Sequence, residues 1–236
     1  MISSPPMIGV GTLLNASTVV LGTAIGVGIG SRLPDRIRDV VVDGMGLLTI
    51  LLGMSMALKT QNFFIVMGSI LLGGLVGEAL EIERRLERLG DRFQRRLASS
   101  SSTFSTGFVT ASLLFCIGPM AVLGAIQDGL HGSIQLLAVK SSLDGVASLA
   151  FATTLGWGVG FSAVSLLIYQ GMITLMAGFV DHFLTTPMVT EMTAVGGLLV
   201  LAMGLRILDV RQFRVGSFLP ALFFAPVLVA VVAAFN

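Results

Sequence analysis

Residues 118–145 read GPMAVLGAIQDGLHGSIQLLAVKSSLDG and lie within two segments that are apolar enough to cross a bilayer. Asp or Lys at the centre of a spanning helix costs roughly 2.5–3.5 kcal/mol on insertion scales, so such residues persist mainly where they face a protein interior or a water path. The residues of this stretch that interrupt its apolar character are Pro119, Gln127, Asp128, Gln135, Lys140, Ser141, Ser142 and Asp144. We therefore predict that the functional centre lies here.

The composition sets the class of protein. Of 236 residues, 54% are hydrophobic and 11% are charged, and the mean hydropathy is +0.94. These charges are too few to cover the surface of a soluble globule, so the chain is predicted to be an all-α, polytopic membrane protein. Cys116 is the single cysteine and cannot form an intramolecular disulfide, so it carries no information on redox compartment.

A spanning helix needs about 20 mostly apolar residues, and the breaks between such segments predict eight of them. The predicted helices cover residues 8–30, 41–58, 63–81, 107–127, 133–155, 157–179, 188–207 and 215–235. Two alternatives stay open. The second and third segments are short and could form one re-entrant hairpin, and only Gly156, Trp157 and Gly158 separate the fifth from the sixth, which leaves seven spans as the other alternative.

The arginines test the count of eight. All of them fall in three segments, 32–38, 84–96 and 206–214, which alternation through eight spans places on one side of the membrane. Lys59 then lies on the opposite side and Lys140 lies within the fifth span. Positive residues in short loops are retained in the cytoplasm. We therefore predict a multi-pass membrane protein with both termini outside.

A faint internal repeat relates the two ends of the chain. Gly46 and Gly53 match Gly197 and Gly204 at a constant offset of 151. Equivalent helices are then five spans apart, an odd number, so the two units run in opposite directions. Inverted repeats of this kind recur in secondary transporters, with the binding site near the bilayer midplane.

These boundaries divide the single transmembrane domain, residues 1–236, into four parts. They are a first repeat unit (1–78), a cytoplasmic amphipathic helix and linker (79–106), a central pair of spans (107–156) and a second repeat unit (157–236). In residues 79–99 apolar positions recur at helical spacing, while Glu and Arg fill the other faces, which predicts a helix lying along the cytoplasmic interface. The alternative is a solvated connector packed on the bundle. The acidic residues nearly neutralise the basic ones, so we do not expect nucleic acid as a partner.

Small residues spaced by four predict close helix packing. Gly22, Gly26 and Gly30 form one such series, and Gly73 and Gly77 form another. Small side chains at this spacing let helix backbones approach each other in lipid. Packing within one chain is the main interpretation, and a homodimer face is the alternative.

Asp144 lies near the middle of the fifth predicted span, one helical turn from Lys140, so the two side chains share a face. In the functional interpretation, Asp144 binds a cation or a proton, and Lys140 is an internal cation that competes for the same carboxylate. The alternative is a buried ion pair that only locates the helix.

Other residues could complete a path for a small cation or small solute through the fourth and fifth spans. Pro119 follows Gly118 and is predicted to bend the fourth span, which frees carbonyl groups to line a cavity. Gln127 and Asp128 are predicted at the outer mouth, where Asp128 could also be simply solvated. Further candidates are Ser141 and Ser142 beside the charged pair, and Asn15 and Thr18 in the first span, which could instead hydrogen-bond between helices.

Several segments resemble the YdfK/YqgA family of bacterial inner-membrane proteins. They are LLNASTVVLGTAIG (13–26), GSILLGGLVGE (68–78), CIGPMAVLGAIQDGL (116–130) and KSSLDGVASLAFATTLGWGVGFSA (140–163). The resemblance covers nearly the whole chain and implies a bacterial multispanning protein. That family is a domain of unknown function, so the resemblance implies no reaction. SSLDGVASLAFA is also similar, as an analogy only, to the Asp-bearing helices of manganese-efflux exporters.

Signals of an enzyme are absent from the sequence. His131 and His182 each stand alone in predicted outer loops, without the spaced His, Cys or carboxylate ligands that a zinc site needs. We expect no enzymatic activity, no cofactor and no metal centre. The sequence thus predicts a transporter or channel for a small cation or small solute, with the lipid bilayer and such a cation as its partners. The alternative is a membrane scaffold or regulatory protein without transport.

Overall fold

The computed structural model describes residues 8–85, 88, 103–116 and 119–234, and all regular elements in this part of the chain are helices. The α-helices are α1 (Val10–Gly30), α2 (Asp35–Ala57), α3 (Phe63–Ala79), α4 (Phe104–Cys116), α5 (Pro119–His131), α6 (Gln135–Leu155), α7 (Gly158–Leu175), α8 (Ala177–Phe183), α9 (Thr186–Ile207) and α10 (Ala221–Ala234). A 3₁₀ turn, Val215–Phe218, leads into α10.

In the described part of the chain, six helical segments are long and apolar enough to cross a membrane: α1, α2, α6, α7, α9 and Val215–Ala234. The predicted class, a multispanning helical membrane protein, is thereby confirmed. The bent pair α4 and α5 would make seven if it is one span, and α3 is apolar but has only 17 residues. At 1.5 Å per residue α3 is about 26 Å long, a little short of the ~30 Å hydrocarbon core.

The fourth predicted span is broken where Pro119 stands. The axes of Phe104–Cys116 and Met120–His131 are inclined by 61°. Proline lacks the backbone N–H that an uninterrupted helix would require here, so a helix begins at Pro119 instead of continuing from Cys116. Gly118 lies outside the described residues, as does most of the predicted amphipathic helix 79–99.

α1 packs along two neighbours, parallel to α6 and antiparallel to α7. Gly22, Gly26 and Gly30 face the backbone carbonyls of Gly145, Leu149 and Thr153, and a Cβ at any of these three glycines would collide with α6. Close packing within one chain, predicted from their spacing, is confirmed. The absence of side chains at these glycines is what allows α6 to lie directly against α1.

The remaining long helices form two antiparallel pairs. Gly53 lies against Gly197 and Gly46 lies against Gly204, so α2 crosses α9 in opposite directions. In the same way Gly73 meets Ala221 and Gly77 meets Ser217, so α3 runs antiparallel to α10. The bundle therefore consists of one group around α1, α6 and α7 and a second group of α2, α3, α9 and α10.

Candidate ion site

Five charged side chains are buried in the described part of the chain: Glu83, Asp128, Lys140, Asp144 and Glu191. A buried charge is costly unless it is paired or hydrogen-bonded. The partners of each group therefore separate charges that anchor the fold from charges that need another explanation.

Asp128, on α5, is fully buried and accepts hydrogen bonds from the backbone N–H groups of Gly9 at 3.3 Å and Gly11 at 3.2 Å. The first turn of a helix carries unpaired N–H groups and a partial positive charge, which a carboxylate satisfies. Asp128 is thus buried at the start of α1, and the alternative that it is simply solvated is wrong.

Glu191 and Glu83 anchor other helix starts, and the sequence analysis did not select either. Glu191 accepts from the N–H of Gln61 at 2.8 Å and of Asn62 at 3.1 Å, where α3 begins. Glu83 accepts from the N–H of Gly216 at 2.6 Å and from Arg206 at 3.0 Å, at the 3₁₀ turn before α10. Glu191 lies close to the start of the seventh predicted span, 188–207, so the criterion of a central position that selected Asp144 did not select it.

Lys140 and Asp144 differ from these three carboxylates. Their side chains form an ion pair one turn apart near the middle of α6, and both residues are buried, at 6% and 8% exposure. The prediction that they share a helix face is confirmed. Asp144 is therefore the buried carboxylate, among those described, that anchors no helix start.

Two buried amide side chains from neighbouring helices bond to each other, and one of them lies near this pair. Asn15 of α1 donates from Nδ2 to Oε1 of Gln170 of α7 at 3.3 Å, and both residues are fully buried. Asn15 also lies near the Asp144 carboxylate. One turn further along the same interface, the hydroxyls of Thr12 and Thr174 are 3.4 Å apart.

The amide pair leaves two atoms without hydrogen-bond partners. In the described part of the protein, Oδ1 of Asn15 and Nε2 of Gln170 are buried and unpaired. Buried polar groups are satisfied in the great majority of cases, and an exception calls for an explanation. The amide pair thus carries one uncommitted acceptor and one uncommitted donor, and Asn15 lies near a buried carboxylate.

Comparison with known proteins gives the context of this site. Residues 10–230 match the family model described as "Protein of unknown function (DUF554)". The chain belongs to the DUF554 family. It is 34% identical over 232 residues to the "Uncharacterized membrane protein YdfK" of Bacillus subtilis (strain 168), covering 96% of this chain and 98% of that protein. It is 33% identical over 221 residues to the "Uncharacterized protein YqgA" of Escherichia coli (strain K12), covering 92% and 94%. No solved structure matches the chain.

The family resemblance predicted from the sequence is thus confirmed. We call Asn15, Lys140, Asp144 and Gln170 the polar group, and all four lie within the matched residues 10–230. Gln170 was missed by sequence analysis, although a glutamine inside a predicted span meets the same criterion that selected Asn15.

Other predicted site residues lie elsewhere in this DUF554 protein. Gln127 and Ser142 are exposed on the outside of the bundle, so the structure does not bring them to the polar group. Ser141 is buried but donates to the carbonyl of Leu137, and Thr18 is half-buried and donates to the carbonyl of Asn15. The side chain of Pro119 is not described.

A separate cavity of about 860 Å³ lies between α4, α5, α7, α9 and α10. Its lining is almost entirely apolar, with Phe108, Ile168 and Leu222 among its residues. Cys116 also lines it. An apolar cavity does not stabilise an ion, so it does not extend the polar group.

Proposed function

We propose that this DUF554 protein moves a small cation across the bacterial inner membrane through the polar group, with Asp144 as the carboxylate that binds the cation. The observation that carries the proposal is a buried ion pair near the middle of a membrane helix, in a structure whose other described buried carboxylates each anchor a helix start. Ionisable residues at such positions are rare and mark ion or proton pathways.

A purely structural role accounts less well for the pair. A buried ion pair recovers little net stability, because desolvation of both charges offsets their attraction. Asp128, Glu83 and Glu191 each satisfy backbone N–H groups that would otherwise be unpaired, whereas Asp144 satisfies none. Lys140 then serves as the internal cation that the carboxylate holds when no transported cation is bound.

The helix directions support eight crossings. In an eight-span chain the first and fifth spans point the same way, as α1 and α6 do, and the first and sixth point oppositely, as α1 and α7 do. Eight crossings also require the second span to be antiparallel to the seventh and the third to the eighth. The glycine contacts agree, because α2 is antiparallel to α9 and α3 is antiparallel to α10. This count treats α4 with α5 as one bent span and α3 as a short one.

The same pairs support an inverted repeat. The offset of 151 relates Gly46 to Gly197 and Gly53 to Gly204. The contact between Gly46 and Gly204 is therefore equivalent to the contact between Gly197 and Gly53. A two-fold axis in the membrane plane exchanges two such contacts. It would pass between α2 and α9, which is where inverted repeats of secondary transporters meet.

Ion pairs support the predicted topology. Arg206, in the last turn of α9, contacts Glu83, and Arg214 contacts Glu78, so the arginines at the end of α9 lie at the same end of the bundle as those that follow α3. By the positive-inside rule this end is cytoplasmic. With eight crossings, both termini then lie outside.

The alternative is a membrane scaffold or regulatory protein without transport, which would use its glycine faces and residues 79–99 to bind partners or a second copy. A scaffold has no need of a buried charged pair within a membrane helix, and this is why we favour transport. The proposal includes no enzymatic reaction and no cofactor.

Flux measurements in proteoliposomes test the proposal. A panel of monovalent and divalent cations and protons is offered to wild-type protein, to Asp144→Asn and to Asp128→Asn, the control with another buried carboxylate. We expect flux of one cation that Asp144→Asn abolishes and Asp128→Asn retains. Equal flux in wild-type protein and Asp144→Asn, for every cation offered, would contradict the proposal.

A further inference from the structure

We infer that the apolar cavity between α4, α5, α7, α9 and α10 holds an acyl chain of a membrane phospholipid. The inference does not depend on the proposed transport. It follows from the chemistry of the cavity wall, from the place where the cavity opens, from its length and from the charge near one of its ends.

The wall of the cavity offers hydrocarbon and few polar groups. No charged or amide side chain is among the described residues that line it. Most of its hydroxyl groups are already hydrogen-bonded, because Ser112 and Ser165 bond to each other at 2.9 Å and Thr193 donates to a carbonyl of its own helix at 2.7 Å. The remaining hydroxyl and thiol groups are those of Tyr169 and Cys116. These groups are too few to solvate a space of about 860 Å³ or to hold a phosphate group inside it.

The cavity therefore needs an apolar occupant. A buried water requires about two to four polar partners, and apolar cavities stay dry. An empty cavity would deprive the side chains of its wall of dispersion contacts, which a hydrocarbon chain restores. The chain would pack against α7, which belongs to the group around α1, and against α9 and α10 of the second group. It would thus fill the space between the two groups of helices.

The cavity opens between α7 and α10. Ile168 of α7 and Phe223 of α10 line it and are also 59% and 71% exposed. Both residues belong to segments that are long and apolar enough to cross a membrane, so their exposed side chains lie against lipid. Other parts of the wall are closed, because Leu113 of α4 and Val189 of α9 are buried. A lipid chain can therefore enter from the side.

The length of the cavity matches one leaflet of a bilayer. Its lining includes Val189 at the start of α9 and Leu222 at the start of α10. Helix α3 shows how far apart these two starts lie. Near the start of α9, Glu191 accepts from the N–H of Asn62, whereas the start of α10 meets Gly73. From Asn62 to Gly73 the chain rises about 16 Å at 1.5 Å per residue, and one leaflet of a ~30 Å hydrocarbon core is about 15 Å thick.

An exposed arginine lies near the end of the cavity where α10 begins. The guanidinium of Arg211 lies over the ring of Phe213, 5.4 Å from its centroid. Phe213 packs against the same buried cluster as Leu219 and Leu222, and both leucines line the cavity. Basic residues at a membrane surface attract anionic lipid headgroups. This charge favours a phospholipid, with its phosphate at the surface, over an uncharged apolar molecule.

Photolabelling tests where the chain lies. The protein is reconstituted in vesicles of phosphatidylethanolamine that contain phosphatidylglycerol with a diazirine near the end of one chain, and adducts are mapped by mass spectrometry. We expect adducts at Leu113 and Val189, which line the cavity but are buried. Val200 is the control, because it is buried and is not part of the lining, and it should carry none. Adducts confined to the exposed faces of the helices would overturn the inference.

Two pairs of variants test whether the adducts depend on the cavity. Ile168→Trp narrows its opening, and Leu167→Trp is the matched control, because Leu167 is the next apolar residue on α7, is also exposed and does not line the cavity. We expect Ile168→Trp to lose the adducts at buried residues and Leu167→Trp to keep them. Leu222→Trp with the control Val231→Trp, both on α10, gives the same comparison if Ile168→Trp aggregates. Equal labelling within each pair of folded variants would overturn the inference.

Native mass spectrometry identifies the occupant. For protein released from the same vesicles, we expect one retained phospholipid per chain in wild-type protein and in Leu167→Trp, and none in Ile168→Trp. Retention of a different apolar molecule would overturn the assignment of the occupant. A dimer that Ile168→Trp converts into a monomer would also overturn it, because a second copy of the chain would then cover the opening.

Discussion

Gly53 and Gly197 meet where α2 crosses α9. A Cβ on Gly53 would lie 2.7 Å from the carbonyl oxygen of Gly197, and a Cβ on Gly197 would lie 2.6 Å from that of Gly53. Real Cβ atoms essentially never come so close to backbone, so this crossing requires glycine on both helices.

We expect Gly53→Ala to destabilise the protein by about 1–3 kcal/mol, because the added methyl group forces two helix backbones apart. The control is Gly44→Ala on the same helix, where nothing lies within 4 Å of an added Cβ. Thermal unfolding in detergent measures the difference. Equal melting temperatures for the two variants would show that the crossing is looser than described.

Reporter fusions test the topology. We expect a reporter after residue 236 to be active outside the cytoplasmic membrane, and one after Arg88 to be active in the cytoplasm, because the arginines lie at one end of an eight-span bundle. Both reporters in the cytoplasm would remove the eight-span arrangement and, with it, the inverted repeat.

Asp128→Asn tests whether a buried carboxylate at a helix start is structural. The amide loses the charge that interacts with the first turn of α1, so we expect a loss of roughly 1 kcal/mol of stability with transport retained. Asp144→Asn, in contrast, should abolish the flux of the transported cation. Loss of transport in a folded Asp128→Asn protein would place Asp128 in the ion path.

Some parts of this structure could be predicted because they depend on local spacing. The positions of Gly22, Gly26 and Gly30 predict close packing on one helix face, and the spacing of Lys140 and Asp144 places both on one side of α6. Local spacing cannot reveal partners that are distant in sequence. Asn15 meets Gln170 across 155 residues.

The burial of Asp128 escaped prediction for the same reason. Its carboxylate is satisfied by backbone N–H groups of α1, more than a hundred residues earlier in the chain. Because nearly every residue carries a backbone N–H group, the order of side chains in the sequence does not identify such a partner. The sequence of QDG, at 127–129, equally fits a solvated turn, so only the packing of α5 against α1 decides the position of Asp128.

The stability of a double variant measures how strongly Asp144 and Lys140 depend on each other, and its transport distinguishes a site from a structural pair. If Asp144 only neutralises Lys140, Asp144→Asn should destabilise the protein by about 3–5 kcal/mol by leaving a buried ammonium unpaired, and the combination of Lys140→Met with Asp144→Asn should restore stability. Thermal unfolding of the wild-type protein, both single variants and the double variant measures this coupling. We expect the double variant to fold stably and to lack transport.

Flux through that folded double variant tests the central claim most directly. Wild-type protein and the combination of Lys140→Met with Asp144→Asn are reconstituted at equal density, and uptake of the transported cation is measured under one imposed gradient. The claim that Asp144 binds the cation predicts wild-type uptake and background uptake in the double variant. A folded double variant with full uptake would contradict it.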